Sequence, residues 1–366
     1  MKAIVKGLLR RGSTATVSLG ADSLVNTVRS VSVSTSQVAL PSSKKDSSVQ
    51  WAQVSSQILH IKPVGFGFNP DTALDNKFSR SVDHMYNLRE LQAKVMQESD
   101  IFVNALSAKG VKVLSGSGAP ETPDAVFPNN WFSSHSAEEQ LQGGSSRFIL
   151  YPMTSPTRQI EKRPDVIRLI VDHLHLRHSE LIDLSHFERQ GKFLEGTGAC
   201  CFDRINKILY VNLSSRAHVE VAHALAKLIN YDLVTFRSFD EEDFPIYHTN
   251  VMMSVGRTFC ILCEDSIRDQ MQLNHIRSTM EKCGKTIVTI SLHQMRKYCG
   301  NVLELAFGDD SGRTFLATSA TAYNEFTSEQ KTELLNHVDE IVPIDVTTIE
   351  TVGGGSVRCM IGELYQ

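Results

Sequence analysis

The segment Val352–Tyr365, VGGGSVRCMIGELY, carries the features on which the fold and the chemistry depend. Its three consecutive glycines, Gly353 to Gly355, can adopt backbone angles closed to other residues and let a ligand approach the main chain. Cys359 follows Arg358 in an apolar run typical of a buried strand end. Positive charge makes a thiol nucleophilic by lowering its pKa, and Arg358 is a candidate source of that charge. The alternative is a glycine-rich turn before a final strand, with Cys359 a small buried hydrophobe.

The composition is that of an ordinary globular protein. The chain has 366 residues, of which 41% are hydrophobic and 21% charged, enough for a sizeable core in one or two domains. A net charge of −4 gives no basic field for nucleic acid. No apolar run approaches the roughly 20 residues that span a bilayer, so we expect neither a nucleic-acid nor a membrane partner.

The cysteines point to a reducing compartment. Seven is an odd number, and their spacing is irregular, which favours free thiols inside the cell. Cys260 and Cys263 form a CxxC, but it lacks a second pair and lies in a strand-like segment. We expect no metal and no organic cofactor.

The first 50 residues differ from the rest. Met1 to Lys45 contains seven basic residues and one acidic residue, Asp22, in a segment rich in serine. An amphipathic, acid-poor segment of this kind is typical of an organelle transit peptide and predicts a mitochondrial protein. The alternative is a disordered tail on a cytoplasmic protein. We therefore predict a disordered leader at 1–50 and a single catalytic domain at 51–366.

Strands and helices alternate after Gln57, which predicts an α/β architecture of repeated units. We expect a helix within Asp75–Gly110, another at Glu329–Ile341 and a strand that closes the chain. Short polar motifs also recur every 50 to 65 residues or so. This spacing predicts about five units that each bring one motif to a shared centre, although chance remains the alternative because the motifs share little sequence. The motifs are centred on Asn69, Asn130, Glu195, His248, Asn301 and Cys359.

These motifs supply the groups that covalent catalysis needs. A cysteine nucleophile requires a group that removes its proton and later protonates a leaving amine, and a histidine such as His248 does both near neutral pH. Glu195 precedes Gly196 in a motif that suits holding a cation. Each residue also has a structural alternative, since the histidine could be a hydrogen-bonded core residue and the glutamate solvated. Asn129 and Asn130 could be turn formers.

Taken together, the motifs resemble the guanidine-modifying, pentein-fold superfamily, which includes arginine deiminases, dimethylarginine hydrolases and amidinotransferases. The similarity is greatest to the branch of citrulline-utilisation hydrolases. The segments that carry it are TPDAVFPNNWFS, YPM, LEGTG, YHTNV and the terminal IE-GGGS-RCM pattern, and the match runs from Leu59 to Leu364.

The resemblance implies a five-bladed pentein α/β propeller with pseudo-fivefold symmetry and the site at its centre. It implies that Cys359 attacks the central carbon of a guanidinium or ureido group, that His248 moves protons and that Glu195 holds substrate nitrogens. Asn301 matches a Gly-Asn pair that we expect to be structural. The implied substrate-binding positions are Asp124 at the amino-acid head group, Arg216 and, as a looser match, Arg158 at the carboxylate, and Asn129 and Asn130 at the reacting group.

Asn130 departs from the deiminase pattern, in which a second carboxylate holds the cationic guanidinium. An asparagine offers both a donor and an acceptor and can hydrogen-bond a ureido carbonyl. One carboxylate fewer also lowers the cost of binding a neutral substrate. Dihydrolases of the superfamily are similar in having asparagine here.

The sequence therefore predicts hydrolysis of L-citrulline to ornithine, ammonia and carbon dioxide through a covalent cysteine intermediate. An arginine dihydrolase or deiminase and an amidinotransferase remain alternatives with the same residues. A non-catalytic pentein-fold binding protein is the alternative of a different class, and the presence of Cys359 and His248 argues against it. The sequence leaves homo-oligomerisation open.

Overall fold

The structure is a computed structural model that describes residues 53–81, 87–137, 146–177, 180–309 and 311–365. The predicted leader at 1–50 lies outside these residues. The described residues belong to one compact unit, Lys45–Gln366. Among them, no helix combines the length and the apolar character needed to cross a membrane.

The described strands form five sheets of three strands, and all five sheets share one pairing pattern. In each sheet the middle strand pairs antiparallel with one neighbour and parallel with the other. In sheet order the strands are β15 (Gly362–Glu363), β1 (Gln57–Lys62) and β2 (Lys112–Ser117); β3 (Phe132–His135), β4 (Arg147–Leu150) and β5 (Leu181–Asp183); β6 (Cys200–Asp203), β7 (Ile208–Asn212) and β8 (Asp232–Phe236); β9 (Met253–Val255), β10 (Phe259–Leu262) and β11 (Thr286–Thr289); and β12 (Leu303–Ala306), β13 (Thr314–Ser319) and β14 (Glu340–Ile344).

Helices connect the parallel strands, as the geometry of such crossovers requires. In chain order the described α-helices are α1 (Leu88–Ser107), α2 (Pro156–Gln159), α3 (Pro164–His173), α4 (Gly196–Ala199), α5 (Val219–Ile229), α6 (Gln270–Lys282), α7 (Leu292–Arg296), α8 (Ala320–Glu325), α9 (Ser328–Leu335) and α10 (Thr347–Gly353).

Two predicted helices have different bounds in the structure. Helix α1 begins at Leu88 rather than near Asp75, because the Asn87 side chain accepts from the Glu90 amide in a capping box that fixes the helix start. The helix predicted at Glu329–Ile341 ends at Leu335. The residues after it form β14, which pairs parallel with β13, so the β-branched pair Ile341 and Val342 is in a strand.

The end of the chain completes the first sheet. Strand β15 pairs antiparallel with β1, with Glu363 opposite Ile58 and Gly362 opposite Leu59. The hydroxyl of Ser55 also donates to the Leu364 carbonyl over 2.6 Å. The predicted closing strand is thus only two residues long, and Cys359 lies in the turn before it rather than in a strand end.

Five of the six polar motifs lie just before the outer strand that pairs antiparallel with the middle strand of its sheet. Asn130 ends the 3₁₀ turn Pro128–Asn130 ahead of β3, Glu195 precedes α4 and β6, and His248 precedes the 3₁₀ turn Thr249–Val251 and β9. Asn301 and Cys359 stand in the turns before β12 and β15. Asn69 differs, since it follows β1 in a loop that packs on Asp124.

Candidate active site

Most of the predicted site residues line one small cavity of about 20 Å³, room for about one water molecule. Gly353, Gly354 and Gly355 form part of its wall. The predicted residues in its lining are Cys359, His248, Asn130, Asp124, Arg158 and Arg216. The turns that precede separate sheets thus bring the nucleophile, the histidine and the asparagine to one place.

Two asparagine amides contact the sulfur of Cys359. Nδ2 of Asn301 donates to Sγ over 3.2 Å, and Nδ2 of Asn250 donates to it over 3.6 Å. All three residues are buried. Asn250 was not identified from the sequence, although it lies in the YHTN motif, two residues after His248. Asn301, which we expected to be structural, contacts the sulfur of Cys359.

Arg358 pairs with groups other than the thiol of Cys359, for which the sequence made it a candidate source of positive charge. Its Nη2 donates to the carboxylate of Glu363 over 2.7 Å, and its Nη1 donates to the Ile361 carbonyl over 3.2 Å. Glu363 also accepts from the hydroxyl of Tyr365. The positive charge of Arg358 is therefore balanced by a buried carboxylate, and we do not assign it the role of activating Cys359.

His248 and Glu195 form a buried pair. His248 Nε2 lies 2.9 Å from Glu195 Oε2, while Glu195 Oε1 accepts from the Thr154 amide over 3.0 Å. Because the carboxylate can only accept, Nε2 carries the proton and Nδ1 is left to act as the base. Both oxygens of Glu195 therefore have partners within the protein, and Oε2 orients the histidine. The binding of substrate nitrogens by Glu195, which the resemblance implied, stays a prediction.

The electrostatics of this pair are set by burial and by neighbouring charge. Burial alone would raise the pKa of the Glu195 carboxyl, but the charge of Arg216 and the hydrogen bond from His248 outweigh it, so the pKa lies below its usual range. Burial lowers the pKa of His248, and Glu195 only partly offsets that effect. The resting state thus has an ionised glutamate and a neutral imidazole near neutral pH, as a general base requires.

Gly198 permits the close approach of two site residues. A Cβ atom at this position would overlap Asn130 Nδ2 and lie 2.8 Å from His248 Nδ1. Any side chain here would displace one of them. The LEGTG motif therefore contributes both an orienting carboxylate, from Glu195, and the space in which the histidine and the asparagine meet.

Arg158 is fully engaged inside the protein. Its guanidinium donates twice to the Glu161 carboxylate, over 2.9 and 3.0 Å, and its Nη1 donates to Asn130 Oδ1 over 2.7 Å. Nη2 also donates to the Phe127 carbonyl over 2.9 Å. Glu161 was missed at the sequence level, where its position three residues after Arg158 was the available signal. These contacts make Arg158 a support for Asn130.

Arg216 is likewise held by carboxylates. Its Nε donates to both oxygens of Asp75 over 3.0 Å, and Nη2 donates to the Thr72 carbonyl over 2.8 Å. Nη1 lies 3.5 Å from Glu195 Oε2, and the guanidinium stacks 4.6 Å above the Tyr247 ring. Asp75 was missed because the loop that carries it was assigned to a helix. In this structure the Asp75 carboxylate holds the place on Arg216 that the resemblance gives to the substrate carboxylate.

The remaining predicted residues are Asp124 and Asn129. Oδ2 of Asp124 accepts from the Asn69 amide over 2.8 Å and from the Thr72 hydroxyl over 3.0 Å, which ties the loop after β1 to the cavity. The carbonyl of Asn129 accepts from Thr197 over 3.1 Å. The side-chain amide of Asn129 is buried without a hydrogen-bond partner in the described part of the chain, and this residue is not among those that line the cavity.

A second, larger cavity lies on the other side of three aromatic rings from Cys359. Its volume is about 720 Å³, within the range of ligand pockets. Phe78, Tyr247 and Tyr298 line it and also line a cavity of about 10 Å³ that reaches Cys359. The Phe78 ring centroid lies 5.4 Å from that of Tyr298 and 6.5 Å from that of Tyr247. These rings therefore stand between the larger cavity and the sulfur.

The described residues contain no group of three or more histidine, cysteine, aspartate or glutamate side chains arranged to hold a metal ion. Cys260 and Cys263, the CxxC pair, are both buried, and burial raises the pKa of the Cys263 thiol to about 12.

Comparison with known proteins identifies the family. The model of the eukaryotic N,N-dimethylarginine dimethylhydrolase family matches residues 62–366. The chain belongs to this family. It is thereby a member of the pentein superfamily of guanidino-modifying enzymes, as the sequence motifs predicted. No curated protein sequence matches the chain.

Several solved structures are similar to the chain over most of its length. The N-terminal domain of ArgZ, an arginine dihydrolase from the ornithine–ammonia cycle in cyanobacteria, has a TM-score of 0.63 at 14% identity and covers 85% of this chain and 98% of its own. AgrE in complex with ornithine and NAD⁺ has a TM-score of 0.64 at 13% identity, covering 85% and 39%. A dimethylarginine dimethylaminohydrolase adduct with S-methyl-L-thiocitrulline has a TM-score of 0.55 at 12% identity, covering 85% and 100%. At these identities the likeness establishes a pentein-like α/β fold.

The Glu195–His248 pair generates a prediction about pH. Glu195→Gln removes the charge that supports protonation of His248, so the pKa of the imidazole falls further. We expect the acid limb of the kcat/KM profile to move to lower pH and kcat to drop by about 10²-fold or more, because the variant supports the imidazolium poorly. The measurement is the pH–rate profile of both proteins. An acid limb that stays in place or moves to higher pH would contradict this role of Glu195.

Proposed function

We propose that the chain hydrolyses a C–N bond of a ureido amino acid, L-citrulline, through a covalent Cys359 intermediate, yielding ornithine, ammonia and carbon dioxide. Family membership supports an enzyme that acts on guanidino-type substrates. The orientation of the Asn130 amide is the observation that carries the choice of a neutral ureido group.

The amide of Asn130 can point only one way. A guanidinium has donors and no acceptor, so the atom that faces Arg158 must be the amide oxygen, Oδ1. The opposite atom, Nδ2, is buried beside His248 with no hydrogen-bond partner among the described residues. A lone donor at this place matches the oxygen of a ureido group. It is mismatched to a guanidinium, which offers only N–H groups, and a buried mismatch of this kind is costly.

The proposed reaction follows from the presence of Cys359 and His248 in one cavity lining. His248 Nδ1 takes the thiol proton of Cys359, and the thiolate adds to the ureido carbon. The C–N bond of the tetrahedral adduct breaks as the imidazolium of His248 gives its proton to the departing nitrogen. Water, deprotonated by the same imidazole, then attacks the thioester-like carbon and releases the sulfur. The carbamate product loses carbon dioxide and releases the second nitrogen, so that the two halves together give one ornithine and one ammonia.

Glu195 assists both halves of this reaction. Its hydrogen bond to Nε2 keeps Nδ1 free to accept a proton, and its charge stabilises the imidazolium that forms in each half. The charge of Arg216 keeps Glu195 itself ionised. We infer that His248, Glu195 and Arg216 act together in proton transfer to and from the substrate.

We also infer that the five sheets are the blades of a propeller around the small cavity. The turns before the five antiparallel strand pairs supply Asn130, Glu195, His248, Asn301 and Cys359, which supports this arrangement. The acid-poor N-terminal segment supports the further proposal that 1–50 is a mitochondrial leader ahead of a single catalytic domain.

Hydrolysis of arginine or a methylated arginine is the second candidate. The family match favours it, and so do the carboxylates of Asp124, which lines the cavity, and Glu195, which contacts His248, since negative charge near the site could balance a cationic substrate. Their existing partners weigh against it, because Asp124 already accepts from Asn69 and Thr72, and Glu195 already faces Arg216 and His248.

Product analysis separates the two candidates. The full-length chain is incubated separately with L-citrulline, L-arginine and N,N-dimethylarginine, and ornithine, citrulline, ammonia and dimethylamine are quantified. We expect ornithine and one ammonia per citrulline, and no turnover with Cys359→Ser although that variant folds. If arginine or dimethylarginine is converted to citrulline and L-citrulline is left unchanged, the protein is not a ureidohydrolase and the second candidate is supported.

Substitution of Asn130 by aspartate tests the selector directly. In Asn130→Asp one carboxylate oxygen keeps the bond to Arg158 and the other places an acceptor where Nδ2 stood. We expect the ratio of kcat/KM for arginine to kcat/KM for citrulline to rise by about tenfold or more, the effect of one charged hydrogen bond. Asn336→Asp, at an exposed position, is the control and should leave the ratio unchanged. If the ratio is also unchanged in Asn130→Asp, Asn130 does not select the substrate.

A further inference from the structure

The sulfur of Cys359 is held by amides whose orientation is fixed by chemistry. Nδ2 of Asn301 donates to the backbone carbonyl of Asn250 over 3.2 Å as well as to Sγ over 3.2 Å. A carbonyl can only accept, so the atom facing it must be the amide nitrogen. The amide group has two hydrogens, one for the carbonyl and one for the sulfur. Sγ therefore faces an N–H donor at Asn301, and not an acceptor.

Two turns are packed backbone to backbone to make this contact. The backbone N–H of Asn301 donates to the Tyr298 carbonyl over 2.8 Å, which closes the turn before β12. A Cβ atom on the preceding Gly300 would overlap the carbonyl oxygen of Val251, in the 3₁₀ turn Thr249–Val251. Glycine at 300 thus lets the two turns touch. As a result, Asn250 and Asn301 approach the sulfur from neighbouring turns. The turn that carries Asn250 begins directly after His248.

Donors at this position favour the thiolate. Burial disfavours a charged sulfur, whereas N–H groups aimed at the sulfur stabilise its anionic form more than its neutral form. Both donors here are uncharged and buried. A cation in their place would also stabilise a thiolate, but it would repel a guanidinium and would leave an extra charge beside a neutral ureido group. Amide donors avoid both costs.

We propose that Asn301, together with Asn250, is a catalytic residue that stabilises the thiolate of Cys359 after His248 has taken its proton. Asn301 touches the reacting sulfur, so its function is not confined to holding the turn. This inference rests on Cys359 being the nucleophile of the proposed reaction. It is independent of which substrate carbon the sulfur attacks.

The test is the pH dependence of alkylation, which needs no substrate. The full-length chain is treated with iodoacetamide over a range of pH, and the rate at Cys359 is followed by peptide mass spectrometry, which separates it from the other cysteines. In Asn301→Ala the midpoint of this dependence should move up by about one pH unit, equivalent to a tenfold loss of thiolate. Asn301→Asp, which keeps the shape but brings a negative charge, should move it further. Asn336→Ala is the matched control and should not move it.

The variants distinguish a catalytic role from a structural one. Circular dichroism and thermal unfolding first establish which variants are folded. If Asn301→Ala does not fold, Asn250→Ala serves instead, with a smaller upward shift expected because its amide is 3.6 Å from Sγ. A folded variant whose midpoint equals that of the wild type would overturn the proposal. Failure of the citrulline assay, in contrast, would leave the alkylation result intact, so the two proposals fail separately.

Discussion

The pairing of the two-residue strand β15 with β1 is the constraint on which the site depends. It returns the end of the chain to the sheet with which the described fold begins, through Glu363 opposite Ile58 and Gly362 opposite Leu59. Cys359 lies three residues before β15. The turn that carries Cys359 would be free to move if β15 were not paired. Here the hydroxyl of Ser55 and the Gln57 carbonyl bond residue 364 and hold the strand in place.

Charge compensation is the second requirement of this site. Arg158 and Arg216 are buried, and each is matched by carboxylates, Glu161 for the first and Asp75 with Glu195 for the second. Unpaired, either guanidinium would be strongly destabilising. The same pairing shapes the site, since Arg216 keeps Glu195 ionised beside His248 and Arg158 holds Asn130 Oδ1, which leaves Nδ2 as the free end of the Asn130 amide. Each buried guanidinium thus fixes the charge or the orientation of a neighbouring site residue.

Much of the α/β order and the convergence of the motifs could be predicted from the sequence, because both follow from local patterns repeated along the chain. The partners of the buried charges could not. Arg216 meets Asp75 across 141 positions, and no local pattern specifies such a pair. Arg358 was expected to act on its neighbour Cys359, but adjacency in sequence does not fix side-chain direction, and Glu363 balances its charge. Asn301 was assigned a structural role because a hydrogen bond to sulfur leaves no signature in sequence.

Covalent attachment of the substrate carbon to Cys359 is the step on which the proposed reaction depends. The most direct measurement is rapid acid quench of the full-length chain during turnover of citrulline labelled with carbon-13 at the ureido carbon, followed by peptide mass spectrometry. We expect the label to appear on the peptide that contains Cys359 and to decay as labelled carbon dioxide is released. Turnover of citrulline with the label on another residue, or with none of it on the Cys359 peptide at any quench time, would contradict the account.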